Sequence, residues 1–196
     1  MRKTLPAISC LLLCVLAIPG CYESLTNIAT PDKVVFYDDL AGKYQAVDPG
    51  TGRLTIEKGV GKGKDKTYGY KQYDEKDALA NKGTLWIIKL DNEHFYQVSV
   101  DGYETLDGKP VYAIGRLRIE GKPGAKTLTG FAFKSDEAFF GDSLVKTVEY
   151  EHVDGGEKTK HRALSMPPEK LQAYLALRAA EMTEPVLKYK QTGPAR

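Results

Sequence analysis

The chain has 196 residues, with 28 basic and 26 acidic side chains and a formal net charge of +2. Both excess cations, Arg2 and Lys3, lie in the first twenty residues, which contain no acidic residue, so residues 21–196 are neutral overall. A neutral body lacks the cationic excess with which proteins bind nucleic-acid phosphates, and we therefore expect no nucleic-acid partner.

The N-terminus has the pattern of a secretory signal peptide. Arg2 and Lys3 precede an apolar run over residues 5–18. This run is shorter than the roughly 20 apolar residues of a membrane-spanning helix, but it fits the apolar region of a signal peptide. A conventional signal peptide and a buried N-terminal helix are the alternatives.

The tetrapeptide Ile18-Pro19-Gly20-Cys21 follows the apolar run and resembles the bacterial lipobox, although small residues are usual where Pro19 stands. The resemblance implies cleavage after Gly20, lipidation of Cys21 through a thioether, and acylation of the new N-terminus. It also implies an extracytoplasmic protein that is anchored to a membrane by lipid. Tyr22 is not the Asp that resembles an inner-membrane retention signal, so we favour the outer membrane, facing the periplasm, in a host with two membranes.

Three segments are expected from this pattern. Residues 1–20 form the lipoprotein signal peptide, and residues 21–33 form the lipidated N-terminus and a polar, flexible tether. Residues 34–196 form a single β-rich domain. Cys10, Cys14 and Cys21 are the only cysteines, so the body cannot form a disulfide.

From residue 34 onwards, short segments rich in Val, Ile, Thr, Tyr and Phe alternate with clusters of Gly, Asp, Asn and Pro. This alternation is typical of strands joined by turns. About eight strands are predicted, at 42–47, 53–58, 67–73, 84–90, 95–100, 111–119, 127–134 and 144–153. Residues 74–83 read as a polar connection.

The tail differs in kind, because Ser165, Pro167 and Pro168 are helix-start signals. A helix is predicted over about 167–183, and residues 186–191 are expected to return as a strand. The following side chains keep helical spacing and should form one packed face: Leu171, Tyr174, Leu175, Arg178 and Met182.

These elements predict a mainly β fold, a single antiparallel barrel of about eight strands or a strongly curved sheet, with one C-terminal α-helix. An open twisted sheet and a two-sheet sandwich are the alternatives. The Gly42-Lys43-Tyr44 start, the run of strands and the helix resemble the lipocalin-like group, although true lipocalins carry Trp where Tyr44 stands. That resemblance implies a cavity for an apolar small molecule.

Gly141-Asp142-Ser143-Leu144 resembles the signature of GDSL-type esterases, in which the Ser is the nucleophile. The esterase signature begins an α/β domain and is followed by Asp-x-x-His, whereas here it lies late in a β-rich region without that pair. A nucleophile needs a base within hydrogen-bond reach. We therefore interpret these residues as a turn and predict no catalytic residue.

Other chemistry-bearing residues are sparse. His94, His152 and His161 lack a second ligand at metal-binding spacing, so no metal or cofactor is predicted, although His152 and His161 could meet across the turn at 154–160. The glycine-lysine stretch 59–64 lacks P-loop spacing and is interpreted as a hairpin loop. Six tyrosines of the strand-rich region are interpreted as core residues with polar tips, or as the lining of a ligand cavity: Tyr68, Tyr70, Tyr73, Tyr96, Tyr103 and Tyr112.

The sequence thus predicts a non-catalytic, membrane-anchored envelope lipoprotein that serves as a protein-interaction or structural module. A carrier that holds an apolar small molecule inside its barrel is the alternative. A barrel filled by its own side chains would favour the first, and a cavity of about 300 Å³ would favour the second.

Overall fold

The computed structural model of the chain describes residues 22–47, 52–59, 66–134, 140–154 and 157–194. The strands in these ranges are β1 (Tyr22–Ser24), β2 (Val34–Val35), β3 (Gly42–Ala46), β4 (Arg53–Lys58), β5 (Tyr68–Tyr73), β6 (Leu79–Leu90), β7 (Glu93–Glu104), β8 (Pro110–Glu120), β9 (Thr127–Ala132), β10 (Thr147–Asp154), β11 (Glu157–Leu164) and β12 (Glu184–Gly193). The helix α1 spans Pro168–Arg178 and continues as a 3-10 turn over Ala179–Glu181, and another 3-10 turn covers Asp38–Leu40.

Eight of the strands form a closed antiparallel barrel, with α1 as the single C-terminal helix, so the predicted fold class is confirmed. Around the barrel the strands follow the order β8, β7, β6, β5, β4, β3, β12, β9, and β9 pairs back with β8. Closure gives both sides of every barrel strand a hydrogen-bonded neighbour, which removes the exposed edges of an open sheet.

The eighth strand of the barrel is not the one that the order along the chain suggests. The segment expected as the last strand before the helix becomes β10, which lies outside the barrel. The barrel is closed instead by β12, which follows the helix and lies between β3 and β9, so that Tyr189 is opposite both Ala46 and Leu128.

The second half of the segment expected as a polar connection, 74–83, is strand. The Asp74 side chain accepts hydrogen bonds from the backbone N–H groups of Lys76 and Ala78, each at 2.8 Å. This closes a tight turn, and the chain resumes pairing at Leu79 opposite Tyr73. A short polar turn therefore replaces a connection of ten residues.

The expected tether is instead packed against the body. Tyr22–Ser24 forms β1 between β8 and β11, and Tyr22 is only 3% exposed. Ile28 is completely buried, and its backbone N–H donates to Oε1 of Gln97 at 2.7 Å. The segment is therefore held by its few apolar side chains, which are buried, and by hydrogen bonds to residues distant in the sequence.

Two apolar cores lie on opposite faces of the barrel wall. One fills the interior, and the other lies between the outside of the wall, the N-terminal segment and α1. The helix contributes Leu171, Tyr174 and Leu175 to the outer core, and Met182 follows them there, as their spacing predicted. Arg178 does not join this core but pairs with Asp142 and Glu181.

A smaller unit, the side lobe, projects from the barrel at β8. It consists of β1, β11 and β10, with the end of the β7–β8 hairpin, residues 101–112. The N-terminal part of β8 pairs with β1 at Tyr112–Ile114, whereas its C-terminal part pairs with β9 from Arg116 onwards. The hairpin tip reaches β10, since Leu106 N–H donates to the Glu151 carbonyl at 3.1 Å.

Candidate functional site

The interior of the barrel is filled by its own side chains where the structure describes it. Its buried side chains are Tyr44, Ile56, Tyr68, Tyr70, Leu85, Ile87, Tyr96, Leu117, Leu128 and Tyr189. A Cβ atom added to Gly115 would lie 2.5 Å from Oη of Tyr96, and one added to Gly130 would lie 2.7 Å from Cγ of Leu187. Gly115 and Gly130 are therefore already covered by large side chains from neighbouring strands.

Tyrosine hydroxyls fix the covering segment, residues 35–40, which packs against the interior core from one side. The Tyr68 hydroxyl donates to the Tyr37 carbonyl at 3.0 Å and accepts from the Tyr37 N–H at 2.6 Å. Tyr44 donates to the Leu40 carbonyl at 2.6 Å, and Phe36 stacks on Tyr68 with ring centroids 4.6 Å apart. Burial raises the pKa of Tyr68 to about 12, which keeps this hydroxyl protonated as a donor.

The esterase-like tetrapeptide lies where it was expected, in a turn before β10. Asp142 Oδ2 accepts from Arg178 at 2.8 Å and from the Tyr174 hydroxyl at 3.2 Å, which attaches the end of α1 to this turn. Ser143 is exposed, and among the described residues its side chain makes no hydrogen bond. Within this tetrapeptide, the Asp142 carboxylate therefore has a structural role, which is to attach the turn to the end of α1.

The structure places His94 apart from the other two histidines. Its Nε2 lies 2.6 Å from the Tyr37 hydroxyl at the β6–β7 hairpin. Burial, and then the charge of Lys89, lower the pKa of His94. His94 is therefore a partner of the segment that carries Tyr37.

His152 and His161 do meet across the β10–β11 turn, with ring centroids 6.4 Å apart. Tyr150 is directly opposite His161 in the strand register, and their rings stack at 5.4 Å. The His152 ring lies 4.1 Å from the ring of Tyr103, which comes from β7. Three strands thus bring four aromatic polar side chains to one place in the side lobe.

Glu23 completes this cluster, which we call the Glu23 cluster (Glu23, Tyr103, Tyr150, His152 and His161). The two carboxylate oxygens accept from the Tyr103 and Tyr150 hydroxyls, each at 2.9 Å, and His161 Nδ1 lies 3.4 Å away. The two hydroxyl oxygens are 3.1 Å apart. Since each hydroxyl has one proton, both tyrosines can donate to Glu23 only if neither donates to the other.

The Glu23 cluster holds the Tyr150 hydroxyl in its protonated form. Burial raises the pKa of Tyr150, as do its hydrogen bond with Tyr103 and the Glu23 charge. Two further ring nitrogens have partners, since His152 Nδ1 lies 2.8 Å from the Glu104 carbonyl and His161 Nε2 lies 2.9 Å from Thr159 Oγ1. The cluster joins β1, β7, β10 and β11.

No metal is needed to explain the cluster. Within the described parts of the chain, no three His, Cys, Asp or Glu side chains are arranged to hold a metal ion. Sequence reasoning noted the two histidines but missed Glu23, which lay in the expected tether, and Tyr103. The sequence signal that was available is the register of the two strands, because pairing of Asp154 with Glu157 sets Tyr150 opposite His161.

An open groove of about 380 Å³ lies beside the cluster, on the other face of β10 and β11. We call it the Phe140 groove, and its lining residues are Phe140, Glu149, Lys160, His161 and Arg162. Glu149 is opposite Arg162 in the register, so their side chains emerge on one face of the sheet. The Arg162 guanidinium lies 5.7 Å from the centre of the Phe140 ring.

The predicted lipidation site, Cys21, lies outside the described residues, as do the signal peptide, residues 1–20, and most of the glycine-lysine loop, 60–65. Tyr22, the next residue, is described, and its ring meets Phe133 at 5.5 Å and Phe140 at 5.8 Å. The predicted attachment point is thus one residue from a buried side chain.

Comparisons with protein-family models, with curated proteins and with solved structures find no match to this chain. Among the residues that the structure describes, no helix has the length and apolar character needed to cross a bilayer.

Proposed function

We propose that this protein is a bacterial envelope lipoprotein, anchored through lipid on Cys21, whose barrel and side lobe act as a non-catalytic protein-interaction module. The lipobox-like sequence at Ile18 to Cys21, behind a short apolar run, is the observation that carries the anchor. The proposed location is extracytoplasmic, on the periplasmic face of the outer membrane in a host with two membranes.

The packed barrel interior supports an interaction role over that of a carrier. A small barrel holds a ligand only where its wall leaves space, and here Tyr96 and Leu187 occupy the space above Gly115 and Gly130. Catalysis has equally little support, since Ser143 is exposed and has no hydrogen-bonded base among the described residues.

Exposed apolar side chains favour the side lobe as the contact surface. The large hydrophobic side chains that are exposed in the described residues are Val47, Leu79, Leu106, Leu144, Val148, Val153 and Leu177. Val148 and Val153 are on β10, Leu144 shortly precedes it, and Leu106 hydrogen-bonds to it. β10 ends the strand order of the sheet, and the β7–β8 hairpin tip contacts its edge at Glu151, so the exposed apolar side chains around β10 are what a partner can contact there.

The anchor is tested by replacing Cys21 with Ala in the natural host or a related bacterium. The variant should accumulate as an uncleaved precursor without lipid, because only a thiol at this position can form the thioether. Intact-mass measurement of the wild type should show a mature chain that starts at a lipid-bearing Cys21. Cys14→Ala is the matched control and should be processed normally. A mature N-terminus at any other residue would refute the anchor.

The interaction role is tested by placing a photo-crosslinking amino acid at Val153 and, separately, at Val47, which is 49% exposed. In intact envelopes, position 153 should yield a discrete crosslinked protein species, whereas position 47 should not. Equal patterns at the two positions, or none at position 153, would contradict the assignment of β10 as the contact surface.

A further inference from the structure

The end of the described chain at Tyr22 restricts how the body can sit on a membrane. One residue of backbone spans at most about 3.6 Å, and Tyr22 is only 3% exposed and held in β1. If Cys21 carries the lipid, no tether separates the anchor from the folded body. The surface around Tyr22 must then lie at the level of the lipid headgroups.

The strand register shows what surrounds this point. β1 runs parallel to β11 with Ser24 beside Leu164, and two residues earlier on each strand Tyr22 is level with Arg162. Phe140 lies between them, with its ring 5.8 Å from that of Tyr22 and 5.7 Å from the Arg162 guanidinium. Tyr22, the first described residue, therefore lies at the rim of the Phe140 groove.

The charges of the groove suit a phosphate-bearing surface. Arg162 and Lys160 emerge on the same face as the groove, and neither makes an ion pair with another described residue. Lys158, two residues before Lys160, differs because its Nζ lies 3.9 Å from Oε2 of Glu151. Glu149 offsets part of the positive charge, which leaves one net cation among the exposed groups Arg162, Lys160 and Glu149.

We propose that the Phe140 groove is the surface on which the body rests against its own membrane, with Arg162 and Lys160 contacting the phosphates of lipid headgroups and Phe140 facing the interface. This inference rests on the proposed lipid attachment at Cys21. An Arg guanidinium presents several donors in a plane that matches phosphate oxygens, and an apolar Phe side chain on a peripheral surface is buried at the boundary between headgroups and acyl chains. The body is thereby held in one orientation, with β4, on the opposite side of the barrel, turned away from the bilayer.

The proposal can be tested with the full-length, lipidated protein reconstituted into vesicles of phosphatidylcholine and phosphatidylglycerol. Since lipidation consumes the thiol of Cys21, a single introduced cysteine carries a fluorophore after signal-peptide removal. The two label positions are Glu149→Cys, in the groove, and Thr55→Cys, on the outer face of β4, four strands from β8 in either direction. A lipid with a nitroxide headgroup should quench the label at position 149 about threefold more than that at position 55.

The cationic contact is tested by adding Arg162→Gln and Lys160→Gln to the protein labelled at position 149. This pair should remove most of the excess quenching, while the control Lys158→Gln leaves it unchanged. Equal quenching at positions 149 and 55 would overturn the orientation, and excess quenching that survives the double substitution would overturn the phosphate contact. The mass of the acylated chain in the same sample separates either result from a failure of lipidation itself.

Discussion

At the scale of single residues, the barrel interior depends on pairs in which a glycine on one strand makes room for a large side chain on the next. Gly115 of β8 is opposite Tyr96 of β7, and the tyrosine ring lies over the glycine. A close-packed interior has no spare volume for an added methyl group. The absence of a side chain at Gly115 is therefore as important as the presence of Tyr96.

Gly115→Ala should destabilise the fold by about 1–3 kcal/mol, because the new Cβ would lie 2.5 Å from the Tyr96 hydroxyl oxygen in a packed interior. Gly69→Ala on β5 is the matched control, since no heavy atom lies within 4 Å of its added Cβ. Denaturant unfolding, followed by the fluorescence of Trp86, measures both variants. Equal stability of the Gly115→Ala and Gly69→Ala variants would show that the barrel interior has room for an added methyl group at Gly115.

The Gly141–Leu144 turn gives a second prediction about single residues. Asp142→Asn should lower the free energy of unfolding by about 1–2 kcal/mol, because it removes the ion pair with Arg178, in which the two side chains are only 12% and 26% exposed. Ser143→Ala should change it by less than about 0.5 kcal/mol. Thermal unfolding measures both. A Ser143→Ala variant with the larger effect would point to an unrecognised role for the hydroxyl.

At the scale of elements, the strand after the helix matters more than its position in the chain suggests. β12 pairs with β3 on one side and with β9 on the other, so it joins the first barrel strand to a late one. The helix between β11 and β12 packs on the outside of the wall and brings the chain back to this gap. Barrel closure therefore depends on β12 as much as on the seven barrel strands before it, β3 to β9.

Deletion of residues 184–196 should abolish cooperative unfolding, since it exposes the edges of both β3 and β9 and removes Tyr189 from the interior core. Deletion of 194–196 is the control and should leave the melting curve unchanged, because β12 ends at Gly193. Thermal unfolding followed by circular dichroism, together with resistance to proteolysis, measures the stability of the two deletion variants. A cooperative transition in the longer deletion would mean that the barrel closes without β12.

At the scale of the whole molecule, the N-terminal segment is part of the body. Gln97 and Gln172 hold Ile28 through its backbone, with a hydrogen bond from Gln172 Nε2 to the Ile28 carbonyl at 2.9 Å, and Thr26 Oγ1 donates to the Met166 carbonyl at 2.7 Å. These contacts connect residues more than sixty positions apart in the chain. They also determine how close the predicted anchor lies to the folded surface.

Ile28→Ala should lower the free energy of unfolding of the mature chain by about 2–5 kcal/mol, as expected for truncation of a fully buried side chain. Asp32→Ala, at an exposed position of the same segment, should change it by less than about 0.5 kcal/mol. Denaturant unfolding again provides the measurement. If both variants were as stable as the wild type, the segment would behave as the free tether that its polar composition suggested.

The strands and the packed face of the helix could be predicted because they follow local rules. Period-two alternation marks β4 and β8, and helical spacing marks Leu171, Tyr174 and Leu175. β11 was missed because its sequence, Glu157–Leu164, is mostly charged and polar: one of its faces is exposed and the other lies against the Glu23 cluster. The cluster itself was only half visible, since the turn predicts His152 near His161 but nothing local predicts Glu23 or Tyr103 beside them.

The sequence by itself determined the class of the protein: a neutral, strand-rich body with one late helix, behind a signal-peptide pattern that ends at Cys21. Local periodicity, turn residues and charge are written in short stretches of chain, and they act over only a few residues. The tertiary structure alone decided that β12 closes the barrel, that residues 22–33 pack onto the wall, and that Glu23 meets two tyrosines and a histidine. Each of these three arrangements depends on which distant segment pairs with a strand edge or covers an apolar side chain. Sequences with the same local pattern can pair and pack their distant segments in different ways, so the local pattern does not determine the choice.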